Sequence, residues 1–235
     1  MDHNRQCMSD RIRTALAQRI FDGTLKAGER LVELEIAREF DTSQTPVREA
    51  LRELESLQLV ESVPYRGTRV REISDREMIE AYTVRGVLEQ LAAELAAPKL
   101  KGNVASIRAS LEQIHQAAKQ HDLEEYARHN LDFHRQIVLA SDNKVLIESW
   151  DRLSFEARVR LHLSRRHEPN LVDRAREHDG PLDALEAGDG ITAGRLLRDH
   201  AESCKQRWCD RSLERNTDTP TDSAELRPIV ASCLS

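Results

Sequence analysis

The sequence predicts a mainly α-helical protein, with a winged helix-turn-helix at the N-terminus and an antiparallel, all-helical bundle after it. Apolar residues recur every three or four positions along most of the chain, as they do in amphipathic helices. Strand patterns occur only at 59–63 and 68–71, where they follow two short helices and flank a turn at 64–67. The remaining chain offers about six longer helices, which is typical of an antiparallel bundle.

The first helix is predicted at 9–21, with Ser9 as its N-cap and Gly23 as its stop signal. A short helix follows at 33–40, and it is expected to turn three side chains inward: Leu34, Ala37 and Phe40. Only a few polar residues separate this helix from the next one. Two short helices joined by a tight polar turn are typical of a helix-turn-helix.

The stretch 41–57 is the segment around which the N-terminal part is organised. It opens with small polar residues that can cap a helix, Ser43 among them. Its apolar stripe consists of Val47, Leu51, Leu54 and Leu57. Arg48 and Arg52 lie one turn apart on another side of the same helix. Taken alone, a helical pair with an arginine face could simply be a solvated surface. The basic hairpin that follows it directly favours nucleic-acid binding instead.

Composition sets the bounds on function. The hydrophobic fraction is 39% and the aromatic fraction only 4%, so the core is expected to consist of Leu, Ile, Val and Ala. We find no apolar run long enough for a membrane span and no N-terminal signal segment, which predicts a cytoplasmic protein. The net charge is −6, and residues 9–72 hold eleven Lys or Arg against twelve Asp or Glu. Nucleic-acid binding therefore needs a local cluster of arginines: Arg48, Arg52, Arg66, Arg69 and Arg71.

The bundle begins after Ser74, which can cap a helix predicted at 75–97, and Pro98 and Gly102 are expected to end that helix. Further helices are predicted at 103–121, 123–140, 144–163, after Pro169 through Gly180 and Pro181, and at 191–213. From Asn216 onward the chain is rich in Thr, Asp, Ser and Pro, which predicts a disordered tail. Four cysteines form no Cys-x-x-Cys pair and are interpreted as free thiols: Cys7, Cys204, Cys209 and Cys233.

Three predicted helices carry a histidine inside an apolar stripe: His134, His178 and His200. A buried histidine is costly unless it is hydrogen-bonded or ligated, and neutral imidazoles are good ligands for divalent transition metals. Asn130 lies one turn before His134 and faces the same way. Three separate core histidines, each satisfied in its own place, remain the alternative interpretation.

The N-terminal part resembles the winged helix-turn-helix of the GntR family of bacterial transcription regulators. The matching residues are Gly-Thr-Leu at 23–25, Gly-Glu-Arg-Leu at 28–31, Glu-Ile-Ala at 35–37, Ser-Gln-Thr-Pro-Val-Arg-Glu-Ala-Leu at 43–51, Leu-Glu at 54–55 and Arg-Gly at 66–67. The rest is similar to the all-helical effector domain of the FadR-type branch, called FCD. Together the two resemblances cover about nine-tenths of the chain.

The resemblance implies four segments: an N-terminal extension at 1–8, a DNA-binding domain at 9–72, an effector-binding and dimerisation domain at 73–213, and a tail at 214–235. It also implies a homodimer on a near-palindromic DNA operator, most simply as a repressor. The DNA-contacting residues carried over are Ser43, Gln44, Thr45, Pro46, Arg48, Arg52, Arg66 and Gly67. Gln44 departs from the arginine that is common in relatives, so the operator is expected to differ from the usual family consensus.

For the helical domain, the resemblance implies a metal bound by Asn130, His134, His178 and His200, with zinc as the first choice and nickel, manganese or iron as others. In the family the first ligand is an Asp or an Asn, and Asn130 is neutral and binds a metal more weakly than an Asp would. Pro181 is expected to kink or restart the helix beside His178, with Asp179 as a new cap. The effector implied is a small organic acid, and Arg85 is the candidate residue that faces it. Arg158 and Arg160 could also reach the pocket, and the sequence does not choose between them. A surface ion pair with Glu89 is the plain alternative for Arg85.

Three functions follow from these observations. The first is a metal-dependent, acid-responsive regulator, and the second is the same DNA-binding regulator without a metal, its histidines being structural. The third is a metal-dependent hydrolase, because three histidines and an open metal position also describe hydrolytic sites. The spacing marks no acidic residue as a general base, and a hydrolase would leave the DNA-binding part unexplained. The sequence therefore favours a regulator that is not an enzyme.

Overall fold

The computed structural model describes residues 7–153 and 170–218, with side chains as far as Asp210. These residues form two compact units, one ending at Ile73 and the other beginning at Ser74. None of the described helices combines the length and the apolar character that crossing a membrane requires.

The first unit is a winged helix-turn-helix. Its elements are α1 (Met8–Phe21), β1 (Arg30–Leu31), α2 (Glu33–Glu39), α3 (Gln44–Ser56), β2 (Val60–Val63) and β3 (Gly67–Val70). The strands form an antiparallel sheet in the order β1-β3-β2, with Val60 opposite Val70 and Val63 opposite Gly67. The helices pack around Leu16, Val47 and Leu54, which are fully buried. The predicted helix pair and wing are therefore confirmed.

Three details of this unit differ from the expectation. Leu34 is 46% exposed, whereas Ile36 and Ala37 are buried. A helix turns by about 100° per residue, so Leu34 lies on the side opposite Ile36 and points away from the core. Leu57 is also exposed because it is the C-cap residue, one position beyond α3. The N-cap of α1 is Cys7, whose sulfur accepts from the Asp10 amide at 3.5 Å, and the expected cap Ser9 is buried in the first turn.

The second unit is helical throughout its described residues. Its elements are α4 (Asp75–Leu100), α5 (Ala105–Gln120), α6 (Leu123–Ala140), α7 (Lys144–Arg152), α8 (Leu171–Arg176), α9 (Asp179–Ala187) and α10 (Gly190–Asp218). Ser74 caps α4 as predicted, because its hydroxyl accepts from the Glu77 amide at 3.2 Å. The fold class predicted from the sequence is thus confirmed for both units.

Several boundaries in this unit were predicted wrongly. Helix α4 continues through Pro98 to Leu100, and the chain turns only at Gly102, whose φ is +67°. Helix α10 runs to Asp218, past the predicted end at 213. The second half of the helix predicted at 144–163 and the tail beyond 218 lie outside the described residues.

The helix predicted after Pro169 is broken in two beside His178, as the nearby proline predicted. Glu177 is the C-cap residue of α8, and His178 rather than Asp179 is the N-cap residue of α9. Pro181 is the third residue of α9. At that position a helix has no amide to lose, so proline is tolerated there and the break falls before it.

Glycines bring α10 close to α4. A Cβ at Gly194 would lie 2.8 Å from the carbonyl oxygen of Gln90, and one at Gly190 would lie 3.0 Å from the Glu94 oxygen. Farther along, a Cβ at Gly86 would lie 3.1 Å from that of Ala201. These contacts hold the two backbones at a distance that only glycine permits.

Candidate metal centre and DNA-binding surface

The three histidines singled out in the sequence meet inside the helical unit. His134 lies on α6, His178 at the junction of α8 and α9, and His200 on α10, and all three are buried. Their ligand atoms all lie within 4.8 Å of one another, and the Nε2 atoms of His134 and His178 are 3.3 Å apart. The group can therefore hold a metal ion, and the interpretation as three separate core histidines is wrong.

The Nδ1 side of each ring faces an acceptor. His200 Nδ1 lies 2.8 Å from Oε2 of Glu177, and His178 Nδ1 lies 3.1 Å from the carbonyl oxygens of Arg174 and Ala175. His134 Nδ1 lies 2.9 Å from Oε2 of Glu89, although the two atoms are not aligned as a regular hydrogen bond. Metal-binding histidines are held in this way, with one nitrogen anchored and the other left for the ion. The arrangement leaves Nε2 of each ring available to a metal.

Glu89 joins α4, α6 and α7. Its Oε1 accepts from Nε of Arg85 at 2.6 Å and from the indole N–H of Trp150 at 3.0 Å, while Oε2 faces His134. Arg85 and Glu89 are both almost completely buried, so the alternative of a surface ion pair for Arg85 is wrong. Burial opposes ionisation of Glu89, but the positive charge of Arg85 and the hydrogen bond that it donates prevail and lower the pKa of Glu89. The sequence showed the four-residue spacing of Arg85 and Glu89, but it did not show that Glu89 also contacts Trp150 and His134.

A second polar cluster lies on the other side of His200. Arg207 donates to both carboxylate oxygens of Glu177, at 2.8 and 3.2 Å, and to the sulfur of Cys204 at 3.0 Å. The Cys204 sulfur lies 3.8 Å from Nε2 of His200. The sequence analysis did not identify Glu177 and Arg207. Both are polar residues outside the apolar stripes, and the spacing of apolar residues gives no indication that they pair.

The pKa values of the three rings differ in direction. Burial lowers the pKa of His134 to about 4. Burial and the neighbouring rings also hold the pKa of His178 well below its ordinary value, so both rings are neutral, as a metal requires. For His200, burial is outweighed by Cys204 and Glu177, which raise its pKa to about 9. A metal that binds His200 must displace this proton.

Asn130 lies on α6, one turn before His134, and is partly exposed, unlike the three rings. Its part in binding a metal stays a prediction. Among the other histidines, His115 and His129 are only partly exposed, and they pair with Asp179 and Glu125.

In the first unit, the predicted DNA-contacting residues lie at the start of α3 and at the wing tip. Ser43 is the N-cap residue of α3, and its hydroxyl makes no cap hydrogen bond. Arg48 is more than half exposed and donates to Oε2 of Glu33 at 2.7 Å and to Oε1 of Gln44 at 3.1 Å. Thr45 and Arg52 are exposed, whereas Gln44 and Pro46 are half-buried. An exposed pair such as Arg48 with Glu33 is weak, so DNA can take its place.

The wing tip carries Tyr65, Arg66 and Gly67, which are all exposed. Tyr65 and Gly67 both have left-handed backbone, with φ of +63° and +80°. Tyr65 is a fully exposed aromatic residue that the sequence analysis did not include. The sequence could have indicated Tyr65 as a candidate contact residue, because an aromatic side chain beside an arginine in a tight hairpin has no core to enter.

Two family models match the chain: bacterial regulatory proteins of the gntR family over residues 8–70, and the FCD domain over residues 80–203. The chain belongs to the GntR family. A probable D-xylose utilization operon transcriptional repressor of Paenarthrobacter nicotinovorans is 37% identical to this GntR-family protein over 83% of this chain and 86% of its own length. The resemblance stated from the sequence is confirmed, and this GntR-family protein is a DNA-binding transcriptional regulator, not an enzyme.

Solved structures show the same fold. Escherichia coli McbR/YncC superimposes on this GntR-family protein with a TM-score of 0.70 and 24% identity, over 88% of this chain and 99% of that one. A GntR regulator from Rhodococcus sp. RHA1 gives a TM-score of 0.66 and 27% identity, over 85% and 96%. The FCD domain assigns effector binding to the helical unit that contains the three histidines.

Proposed function

We propose that this chain is a homodimeric repressor whose operator affinity is controlled by a small carboxylate bound at a metal centre. The metal, zinc in the first instance, is held by His134, His178 and His200. The observation that carries this proposal is the convergence of three buried rings, with their ligand atoms within 4.8 Å and an acceptor at each Nδ1. Asn130 is a weak additional ligand at most.

The DNA-binding part of the proposal assigns base contacts to α3 and backbone contacts to its N-terminus and the wing. Arg48 is exposed and matches the family pattern, and its guanidinium can bind guanine through two hydrogen bonds. Ser43, Thr45 and Arg52 suit phosphates, and Arg66 with Gly67 suits the minor groove. Gln44 suits adenine and shifts the operator away from the family consensus.

A homodimer is supported by an apolar stripe along α4. Val84, Val87, Leu91 and Leu95 recur at intervals of three and four residues, and each is between 39% and 50% exposed. Scattered exposed apolar residues are ordinary, but a continuous helical stripe marks an interface. Around a twofold axis such a stripe meets its own copy, so it is self-complementary without any matching charges. We assign this face to the second copy of the chain.

The effector is assigned to the carboxylate class because a metal with an open position and the buried cation Arg85 suit an anionic group. The relative that regulates a D-xylose operon suggests a sugar-derived acid. D-Xylose and D-xylonate test whether the effector must carry a carboxylate, since they differ only in the oxidation of the first carbon.

The test is a thermal melt of untagged, full-length protein with each compound and with a panel of other small acids, before and after chelation, alongside metal analysis. The proposal expects about one metal per chain and stabilisation by an acid that disappears on chelation. Stabilisation by the neutral sugar alone would move the effector out of the carboxylate class. No metal, with unchanged operator binding, would establish the metal-free regulator instead.

A further inference from the structure

A divalent metal bound by three imidazoles alone would lie in a buried site without an anionic protein ligand, and Asn130 does not supply one. We propose that Cys204 is the fourth protein ligand of this metal, binding through its sulfur as a thiolate. The inference rests on the metal centre proposed above. It concerns one side chain on α10, one turn after His200, that is itself almost completely buried.

Among the described residues, two carboxylates lie beside the rings, and both are already engaged. Glu89 faces Nδ1 of His134 and bonds Arg85 and Trp150. Glu177 faces Nδ1 of His200, and both of its oxygens accept from Arg207. Both carboxylates therefore lie on the anchored side of a ring. Cys204 differs, because its sulfur lies beside Nε2 of His200, the nitrogen that is left for a metal.

The spacing of two ring nitrogens agrees with a tetrahedral site, and the sulfur of Cys204 lies within 4.8 Å of His200 but does not lie that close to all three rings. Zinc–nitrogen bonds of about 2.0–2.1 Å and zinc–sulfur bonds of about 2.3 Å place two nitrogens about 3.4 Å apart, and a nitrogen and a sulfur about 3.6 Å apart. The Nε2 atoms of His134 and His178 are 3.3 Å apart. The sulfur of Cys204 lies 3.8 Å from Nε2 of His200.

Glu177, His200 and Cys204 also lie within 4.8 Å of one another, but they do not form a separate metal site. The guanidinium of Arg207 contacts both the carboxylate and the sulfur, and it occupies the position that a cation would need. Binding the metal at the histidines instead requires Cys204 to leave Arg207 by rotation about its Cα–Cβ bond. The protons displaced from the thiol and from His200 pass to solvent as the metal binds. Sulfur ligation favours zinc over manganese, and the site closes to four protein ligands. An incoming carboxylate then either adds a fifth ligand or displaces the sulfur.

Cobalt(II) substitution tests the assignment directly. Full-length protein is loaded with one equivalent of Co(II), and its absorption spectrum is compared with those of Cys204→Ser, Cys209→Ser and Cys7→Ser. A thiolate ligand produces a charge-transfer band in the near ultraviolet, which imidazole and water ligands do not. We expect this band in the unmodified protein and in the Cys209 and Cys7 variants, and its loss in Cys204→Ser with Co(II) still bound. Competition titration should then show zinc affinity lower by roughly tenfold or more in Cys204→Ser.

Bound Co(II) without the band in the unmodified protein overturns the role of Cys204 and leaves the histidine site standing. So does a band that Cys204→Ser retains. No binding of Co(II) or Zn(II) at all would overturn the metal centre itself, and the inference with it. If Cys204→Ser does not fold, Cys204→Ala replaces it, and the same loss of the band with Co(II) still bound is expected.

Discussion

Oε2 of Glu89 lies 2.9 Å from Nδ1 of His134, so the buried ion pair of α4 and a candidate metal ligand of α6 form one network. Through this carboxylate, the residue expected to face the effector, Arg85, is separated from a metal ligand by a single side chain. In the proposed site, a change in what binds Arg85 is therefore expected to act on the ring of His134. If the proposed effector and metal bind as assigned, this network connects their two sites inside the helical unit.

Glu89→Gln should weaken both the metal site and the fold. The substitution leaves Arg85 buried without its carboxylate partner, which costs about 3–5 kcal/mol, and removes the acceptor that orients His134. Metal affinity is expected to fall by roughly ten- to a hundredfold. Thermal melts and competition with a chelator measure the two effects.

The control for Glu89→Gln is Glu80→Gln on the same helix, where the pair with Arg76 is exposed. This change is expected to alter stability by less than about 0.5 kcal/mol and to leave metal affinity unchanged. Equal effects of the two substitutions would mean that the Glu89 network has no special role.

His134→Ala combined with His200→Ala should remove the bound metal and the response to acids, because two of the three histidine ligands are lost. Operator binding in the absence of effector is expected to persist, since the first unit has its own core. The matched control is His121→Asn, an exposed residue with a left-handed backbone that Asn tolerates. Metal retained at one per chain in the double variant would show that the ligand set is wrong.

Arg48→Ala should abolish operator binding at physiological salt without changing the helical content. Losing a contact with two hydrogen bonds to a base costs about 1–3 kcal/mol, and a dimer loses it at both half-sites. An operator is first selected from a random duplex library, and affinity is then measured by fluorescence anisotropy. Arg76→Ala, an exposed arginine of α4, is the control. Undiminished binding by Arg48→Ala would exclude α3 as the recognition helix.

Gly194→Ala should destabilise the helical unit by about 1–3 kcal/mol, because the new methyl group would lie 2.8 Å from a backbone oxygen of α4. Gly180→Ala is the matched substitution, since its methyl would meet only the end of the Leu196 side chain at 3.3 Å. That variant is expected to be neutral or slightly stabilising, as alanine favours the helix. Chemical denaturation compares the two, and equal stability would argue against a close contact between α4 and α10.

Val87→Glu combined with Leu91→Glu should convert the proposed dimer into a monomer and weaken operator binding, because two pairs of buried like charges would meet at the twofold axis. Light scattering after gel filtration gives the mass. Val145→Glu replaces an equally apolar and more exposed residue of α7, outside the stripe, and should leave the dimer intact. A dimer that survives the double substitution would place the interface elsewhere.

The spacing of apolar residues along the sequence predicted most of the secondary structure and which face of each element is buried. The helix pair, the wing, the bundle and the apolar stripes containing His134, His178 and His200 follow from the sequence, because the spacing of apolar residues specifies which face of an element is buried. The break beside His178 was also predictable, because the effect of Pro181 on the backbone is local.

The tertiary structure alone decided which polar groups meet. Glu89 bonds Trp150, 61 residues away, and Glu177 bonds Arg207, 30 residues away, and no periodicity within one helix encodes such a pairing. The same holds for the convergence of the three rings, the burial of Arg85 and the approach of Cys204 to His200. These contacts depend on how helices pack against one another. A stripe specifies that a helix packs, but the close fit of side chains and glycines along the whole bundle determines which partner it packs against and in what register.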